Sequence, residues 1–192
     1  MQKIMFNDKY CLTQAVLEGR KIQTRRVIKQ EQKIQIRMEY GDDTKMWVYA
    51  SKFYEGEVVA IAQNYNTIQR ERVASVQSFC NPIYDNFANT EILKSSPGWK
   101  NKMFVSPELM PHKVKITNVK VQRLQDITGN DIIAEGVRRD SSGMYTIPYK
   151  DDIDLAFPTV KGAYAFLIDK VSGEGTWKSN PWVFAYTFEL IE

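Results

Sequence analysis

Histidine and cysteine are scarce in this chain of 192 residues, which contains one histidine, His112, and two cysteines, Cys11 and Cys80. A structural zinc site takes four ligands, mostly from Cys and His, so a zinc finger is excluded. No C-x-x-C pair supports a zinc deaminase site, and a Ser-His-Asp triad would depend on His112 alone. We assign no metal site and no cofactor, so that catalysis would use Lys, Thr, Ser, Tyr, Asp or Glu side chains, or magnesium held by carboxylates.

Long apolar runs are also missing. No stretch approaches the roughly 20 residues that cross a bilayer, and the first residues, MQKIMFNDKY, lack the apolar core of a secretory signal. Two distant cysteines are typical of free thiols in a reducing compartment. We therefore expect a cytoplasmic protein with no membrane partner.

The composition is that of a folded protein. Apolar residues make up 43% of the chain and aromatic residues 12%, which is enough to bury a core and excludes a disordered chain. The length favours a single domain covering residues 1–192. The formal net charge of +3 permits an anionic partner but does not require one.

Hydrophobic periodicity predicts strands alternating with short helices. Strands are expected at 3–6, 22–28, 46–50, 58–62, 113–124 and 182–191, and helices at 8–18, just after Thr128 and at 159–171. The remainder of 29–52 is ambiguous, and 138–158 is predicted as loop. Residues 64–111 show little periodicity, so we predict a long insertion there, with a role as a functional lid left open. The pattern predicts an α+β, mainly β fold, built as a small mixed β-barrel with flanking short helices.

The segment GRKIQTRR, residues 19–26, carries the densest charge in the chain. It predicts a helix end, a turn and then a strand, on which Thr24 and Arg26 face one way and Arg25 the other. Lys21 leaves the turn and can reach the neighbourhood of Thr24. A lysine beside a hydroxyl and several arginines is typical of an anion or phosphate site; the alternative is a basic strand exposed to solvent.

Two further features could bear on function. Glu135 is expected in the last turn of its helix, where the helix dipole disfavours a carboxylate by roughly 0.3–1 kcal/mol. If buried there, it would suit general acid–base chemistry; otherwise it is an exposed glutamate. Asn180-Pro181-Trp182 precedes the last strand. Trp182 could stack on a base, or it could simply pack in the core.

Three blocks of the chain together resemble ASCH domains, especially phage-type members. The blocks are YCLTQAVLEGRKIQTRRVIK at 10–29, VQRLQDITGNDIIAEGV at 121–137 and GTWKSNPWVFAYTFELI at 175–191. They follow one another along the chain in the family's order. Ile22 departs from the usual threonine after the lysine, and Gln63 stands where phage-type members often have a glutamate.

The resemblance implies a PUA-like β-barrel with a cleft lined by the G-x-K-x-x-T motif and associated with RNA binding. It also implies a link to a small group of enzymes that hydrolyse the acetyl amide of N4-acetylcytidine. The positions that match the catalytic residues of that group are Lys21, Thr24 and Glu135. Phage or mobile-element origin is part of the same expectation.

We therefore carry three functional hypotheses. The first is an RNA- or nucleotide-binding protein whose basic cleft contains Arg20, Lys21, Arg25, Arg26, Asn180 and Trp182. The second is a metal-free amidohydrolase acting on an N-acylated nucleoside, with Thr24 as nucleophile, Lys21 activating it or holding the oxyanion, and Glu135 moving the proton. The third is an accessory protein that acts by binding a host protein. The sequence leaves the oligomeric state open.

Overall fold

A computed structural model of the chain describes residues 1–78, 90–150 and 153–191. The strands are β1 (Lys3–Ile4), β2 (Gln23–Val27), β3 (Val58–Ile61), β4 (Lys113–Arg123), β5 (Arg138–Arg139), β6 (Tyr145–Tyr149), β7 (Ile153–Phe157) and β8 (Trp182–Ile191). The α-helices are α1 (Leu12–Leu17), α2 (Gln30–Tyr40), α3 (Tyr65–Ser78), α4 (Thr90–Ser95), α5 (Gly129–Ala134), α6 (Val160–Ser172) and α7 (Thr176–Ser179). Short 3-10 helices lie between several of these elements.

The fold is mixed α+β, as the sequence predicts. One sheet has five strands in the order β1-β3-β4-β8-β2, and a second has three in the order β5-β6-β7. The larger sheet is mixed, because β1 and β3 run parallel whereas β2 and β8 run antiparallel. No closed barrel is found among the strands of the described residues.

Contacts along the chain divide it into two compact units. The first comprises residues 1–6 and 58–113, and the second residues 7–57 and 114–191. In the first unit, β1 pairs with β3, and Ala60, Ala62, Ile68, Val105 and Met110 form a buried apolar cluster. The Lys3 ammonium donates to the carbonyl oxygens of Lys102, Met103 and Val105, so one cation holds that turn together.

The second unit contains the residue ranges 10–29, 121–137 and 175–191, on which the resemblance described above rests. In it, β2 pairs with β8 over five residues, from Gln23 opposite Thr187 to Val27 opposite Val183. The inward positions of β8 are apolar and aromatic, and Val183, Phe184, Ala185 and Tyr186 are all buried. This strand is therefore buried on both faces, which explains its continuous apolar sequence.

Some local predictions are wrong for identifiable reasons. Residues 46–50 form a 3-10 helix rather than a strand, with Trp47 buried and its Nε1 donating to Gly41 O at 3.0 Å. The sequence pattern did not predict helix α2. Ile36 is its one buried residue, so the helix lacks the apolar stripe by which an amphipathic helix is recognised. The predicted loop 138–158 contains β5, β6 and β7; Pro148 within β6 obscured the strand signal.

The predicted insertion at 64–111 contains α3, α4 and three 3-10 helices. Part of it, including Cys80, lies outside the described residues, whereas Cys11 is a free, half-buried thiol. Within the parts of the chain that the structure covers, every helix is too short or too polar to cross a membrane.

Candidate functional site

The turn after α1 places Lys21 against the end of α5. Gly19 adopts a positive φ of 70°, and the backbone nitrogens of Arg20 and Lys21 both donate to Ala15 O at 2.9 Å. Ile22 N then donates to Ala134 O, and Phe188 N donates to Ile22 O, each at 2.9 Å. The chain is thus fixed between α5 and β8 just before β2 begins.

Glu135 is placed by the end of α5. Thr128 caps the start of this helix by accepting from Asp131 N at 3.1 Å, and Asp131 Oδ2 accepts from Thr128 N at 3.2 Å. Both hydrogen bonds of a capping box are present. Gly136 follows with φ 105°, and an added Cβ there would contact Lys21 Cβ at 3.6 Å. The helix therefore ends directly over the lysine.

The carboxylate of Glu135 is the centre of a buried charged cluster. Lys21 Nζ donates to Glu135 Oε2 at 2.6 Å and to Glu135 O at 2.9 Å. Arg25 Nη1 donates to Glu135 Oε1 at 3.0 Å, and Tyr164 OH donates to the same oxygen at 3.5 Å. Lys21 is 2% exposed, whereas Arg25 and Glu135 are each 4% exposed. Both carboxylate oxygens are thus held by cations away from solvent.

Arg25 also faces the partly exposed side of the cluster. Its Nη1 donates to Gln23 Oε1 at 3.2 Å, and its Nη2 forms an ion pair with Asp131 Oδ2 at 3.2 Å. The Asp131 side chain is 19% exposed. Arg25 Nε and Nη2 are buried and have no partner with hydrogen-bond geometry, so the Asp131 contact is electrostatic. Nε of this buried guanidinium therefore has no acceptor among the described residues, and Nη2 has only the ion-pair contact with Asp131.

The buried environment shifts several ionisation equilibria. Burial lowers the pKa of Lys21, and the adjacent Glu135 charge opposes that shift. Burial also raises the pKa of Tyr164 well above its ordinary value, with the negative charge of Glu135 acting in the same direction. Burial lowers the pKa of Arg26, again opposed by Glu135. An unpaired charge here would be costly, which is why the cluster contains both signs.

The predicted catalytic residues are only partly brought together. Lys21 and Glu135 are in direct contact, as described above. Alternation along β2 places Thr24 and Arg26 on the face opposite Gln23 and Arg25. Thr24 is buried at 5% exposure, opposite Tyr186 in the neighbouring strand. The contacts of the Glu135 carboxylate described above come from Lys21, Arg25 and Tyr164, and Thr24 is not among them.

The other predicted ligand-binding residues lie in separate structural roles. Arg20 Nε donates to Glu18 Oε2 at 2.6 Å. Asn180 Oδ1 accepts from Gln125 N at 2.8 Å, and Asn180 O accepts from Arg123 at 3.1 Å. Trp182 packs edge-on against Trp47 at 5.6 Å, and the Arg123 guanidinium lies 4.6 Å from its ring centroid. These residues shape the second unit, and their charge and aromatic groups are already engaged.

Sequence reasoning missed Tyr164 and Gln23. Tyr164 lies on α6 three and four positions before Leu167 and Ile168, which are also buried. That spacing places it on the core-facing side of the helix, and a buried tyrosine hydroxyl needs a polar partner. The helix pattern could therefore have indicated a buried acceptor near α6. Gln23 carries no comparable signal.

A second polar cluster lies in the first unit. Gln63 Nε2 donates to Glu71 Oε1 at 2.7 Å, and His112 Nε2 lies 3.1 Å from Glu71 Oε2. Gln63 is 3% exposed, and its Oε1 has no hydrogen-bond partner. Gln63 thus acts as a donor to a carboxylate. In the part of the chain that the structure describes, no three His, Cys, Asp or Glu side chains are grouped as metal ligands.

Comparison of the chain with protein-family models, with curated proteins and with solved structures found no match.

Proposed function

We propose that this protein is an ASCH-like, PUA-like RNA- or nucleotide-binding protein, and that Arg25 is its central ligand-binding residue. The observation that supports this is the pair of Arg25 donors, Nε and Nη2, which are buried without hydrogen-bond partners. Buried donors are normally satisfied, so each such group calls for an acceptor. A phosphate or base carbonyl oxygen would supply one.

The charge of the cluster supports an anionic ligand. Lys21, Arg25 and Arg26 contribute three cations around the carboxylates of Glu135 and Asp131. A guanidinium also matches the geometry of a phosphate by donating two parallel hydrogen bonds. An incoming phosphate would replace the partly exposed Asp131 carboxylate at Arg25 Nη2, because that contact is already without hydrogen-bond geometry.

The test is binding of labelled single-stranded RNA, measured by fluorescence anisotropy over a range of salt concentrations. Arg25→Lys keeps the charge but removes the planar fork, and it should weaken binding at least tenfold across sequences. Arg25→Met should also make the salt dependence shallower, by about one unit of slope for each phosphate that the variant no longer neutralises. Arg37→Met, which alters an exposed arginine paired with Asp42, is the matched control.

Folding of each variant is checked by circular dichroism and thermal unfolding. If a folded Arg25→Lys protein binds RNA and free nucleotides as tightly as the wild type, the proposed binding role of Arg25 is wrong. If the wild type binds neither RNA nor mononucleotides, the proposed function is wrong.

The second candidate is amide hydrolysis on an N-acylated nucleoside, and the contact between Lys21 and Glu135 favours it. In this reaction the Thr24 hydroxyl would attack the acyl carbon, releasing the amine and leaving an acyl ester that water then hydrolyses. Glu135 would take the Thr24 proton and return it to the leaving nitrogen, while Lys21 would stabilise the oxyanion. The position of Thr24 on the opposite face of β2 makes its role the step most in need of a test.

The assay is incubation with N4-acetylcytidine and other acylated nucleosides, followed by chromatography of the deacylated product. Lys21→Ala and Glu135→Gln should abolish turnover if this candidate is right. Thr24→Val should do the same if Thr24 is the nucleophile, whereas turnover that persists in this variant would identify water as the attacking group. No turnover by the folded wild type would reject the candidate.

A further inference from the structure

The outer edge of β7 is open in the three-stranded sheet of the second unit. The strand order β5-β6-β7 leaves β7 at one side of this sheet, where it pairs with β6 alone among the described strands. The backbone groups along such an edge can hydrogen-bond a further strand. The edge of β7 is therefore a candidate interaction surface.

The register shows which backbone groups of β7 point outward. Just beyond the paired ends of β5 and β6, Asp140 N donates to Met144 O at 2.9 Å, so the even-numbered positions of β6 face β5 and the odd-numbered positions face β7. Ile147 therefore exchanges its hydrogen bonds with Leu155, which lies opposite to it. Pro148, which has no N–H, is an even position that faces away from β7. The N–H and C=O groups of the residues on either side of Leu155 thus point to the open edge.

These outward groups belong to Asp154 and Ala156, whose side chains are both exposed. No backbone hydrogen bond joins either residue to a part of the described chain outside the sheet. The other outer strands are shorter or more charged, since β1 and β5 contain two residues each and β2 carries two arginines. β7 contains five residues, of which only Asp154 is charged, so it lacks the features that usually protect an edge.

The sequence of β7, IDLAF, is complementary to itself when two copies run antiparallel about Leu155. Leu155 then lies opposite Leu155 of the second copy, and Ile153 lies opposite Phe157. Asp154 lies opposite Ala156, so no carboxylate directly faces another carboxylate. Each Asp154–Ala156 pair exchanges two hydrogen bonds through the outward groups, which is the pattern of an antiparallel ladder.

The apolar side chains of β7 are only partly covered within one copy. Ile153 is 54% exposed, and Leu155 is half-buried. Phe157 packs against Phe166 of α6, with the ring centroids 5.2 Å apart. A second β7 would cover Ile153 with a phenylalanine ring, and aromatic side chains opposite β-branched ones are among the pairs that stabilise sheets.

We propose that two copies of this protein associate through β7, forming a continuous antiparallel sheet of six strands around a two-fold axis at Leu155. The same surface of each copy takes part, as in most homodimers. The inference goes beyond the binding function proposed above and does not depend on it. Because five residues of each copy form a contact well below the roughly 1,200 Å² of a standard stable interface, we expect a weak dimer that is populated at high protein concentration.

The first experiment is analytical ultracentrifugation of the full chain over a range of concentrations. The sedimentation coefficient should rise with concentration from the value of a monomer toward that of a dimer. A folded wild type that remains monomeric at every concentration overturns the inference. Growth beyond a dimer would also contradict it, because pairing about a two-fold axis uses up the edge of both copies.

Variants of β7 assign the association to this edge. Ala156→Pro removes an N–H that the sheet itself does not use, and it should weaken dimerisation about tenfold or more because each copy loses one donor. Ile153→Lys should also weaken it, by placing a charge opposite Phe157. The matched control is Ile34→Lys, because Ile34 is an isoleucine of α2 with a similar exposure of 49%.

Circular dichroism shows whether each variant is folded, and Ile153→Lys replaces Ala156→Pro if the proline variant is not. Dimerisation that is unchanged in the folded β7 variants would assign the contact to another surface and refute the inference. A control that loses as much affinity as Ile153→Lys would refute it as well.

Cysteine cross-linking tests the register in a chain whose own cysteines are replaced by Cys11→Ser and Cys80→Ser. Leu155→Cys would place the two Cα atoms of the non-hydrogen-bonded pair roughly 4.5 Å apart, which is within the range of a disulfide. Ala156→Cys is the matched control, because its counterpart would lie diagonally at roughly 7–8 Å, too far for a disulfide. Oxidised glutathione should therefore give a covalent dimer of Leu155→Cys and little of Ala156→Cys. Equal or preferential cross-linking of the more exposed position 156 would contradict the proposed pairing.

Discussion

Lys21 and Glu135, which lie 114 positions apart in the chain, form a buried ion pair with Lys21 Nζ 2.6 Å from Glu135 Oε2. The same ammonium donates to the backbone carbonyl of Glu135, and Arg25 Nη1 donates to the other carboxylate oxygen, Oε1. The pair therefore joins the turn after α1 to the end of α5. Removing one partner leaves the other charge buried without full compensation.

Lys21→Met should lower the free energy of unfolding by about 3–5 kcal/mol, the usual cost of breaking a buried ion pair by removing one partner. The double variant Lys21→Met with Glu135→Gln should recover part of that loss, because no buried carboxylate remains. Urea denaturation provides the measurement. Arg37→Met removes an exposed pair and should cost less than about 1 kcal/mol; a Lys21→Met protein no less stable than this control would contradict the role of the pair.

Asp131 should make stability depend on pH in the acid range. Burial opposes ionisation, but hydrogen bonds from Thr128 and Gln23 and the charge of Arg25 outweigh it, so the pKa of Asp131 lies below its ordinary value of 3.8. The unfolded chain therefore binds the proton first as the pH falls. The ionised Asp131 carboxylate therefore stabilises the folded protein fully above pH 3.8, the ordinary pKa of the group. That stabilisation is lost as the pH falls through the lower pKa of the folded state.

The difference in stability between the wild type and Asp131→Asn should accordingly shrink as the pH is lowered from about 5 to about 2. Chemical denaturation at several pH values measures this difference. Thr128→Ala removes one of the stated causes and should reduce the same pH dependence. If the difference in stability between the two proteins stays constant over this range, folding does not lower the pKa of the Asp131 carboxyl group.

Gly136→Ala should destabilise the protein by at least about 1–2 kcal/mol, because an L-residue pays that cost at positive φ. The surrounding space is not the reason, since the added Cβ would meet its neighbours at the ordinary distance of 3.6 Å. Gly129→Ala, on the same helix and without a positive φ, is the control and should be neutral or stabilising. Thermal unfolding that shows equal midpoints for the two variants would contradict this account.

Gly98→Ala should destabilise the first unit by about 1–3 kcal/mol through overpacking. Its Cβ would overlap the Tyr65 ring and would also meet Val105 Cγ2 at 3.2 Å. Tyr65→Leu on the same background should relieve part of the penalty, because the two positions are coupled by direct contact. If the double variant is destabilised by the plain sum of the single effects, the close approach of Gly98 and Tyr65 does not set the cost.

The sequence predicts the fold best where one pattern dominates locally. Strand β8 is a long apolar and aromatic run, and the capping box of Thr128 and Asp131 defines α5, so the predicted positions of both lie close to the observed ones. By contrast, Trp47 lies in a 3-10 helix because a distant burial requirement overrides the β-preference of its neighbours. The local pattern does not contain that information.

The candidate site could be predicted only in part for a similar reason. The charged turn at Lys21 and the unusual position of Glu135 mark each residue in its own segment, and only the resemblance implies that the two meet. The role of Arg25 as the bridge to Glu135 and Asp131 depends on which face of β2 packs against α5. A strand with polar residues on both faces does not specify that choice.

The register of β2 against β8 also governs when the charged cluster can assemble during synthesis. Gln23 pairs with Thr187, so a nascent chain has completed β2 long before its hydrogen-bonded neighbour leaves the ribosome. Until then, β2 lacks the one strand that it pairs with in the described sheet, so Arg25 remains accessible to solvent counterions. Because pairings between residues so distant in sequence form slowly, we expect the burial of this cation to be a late event in folding.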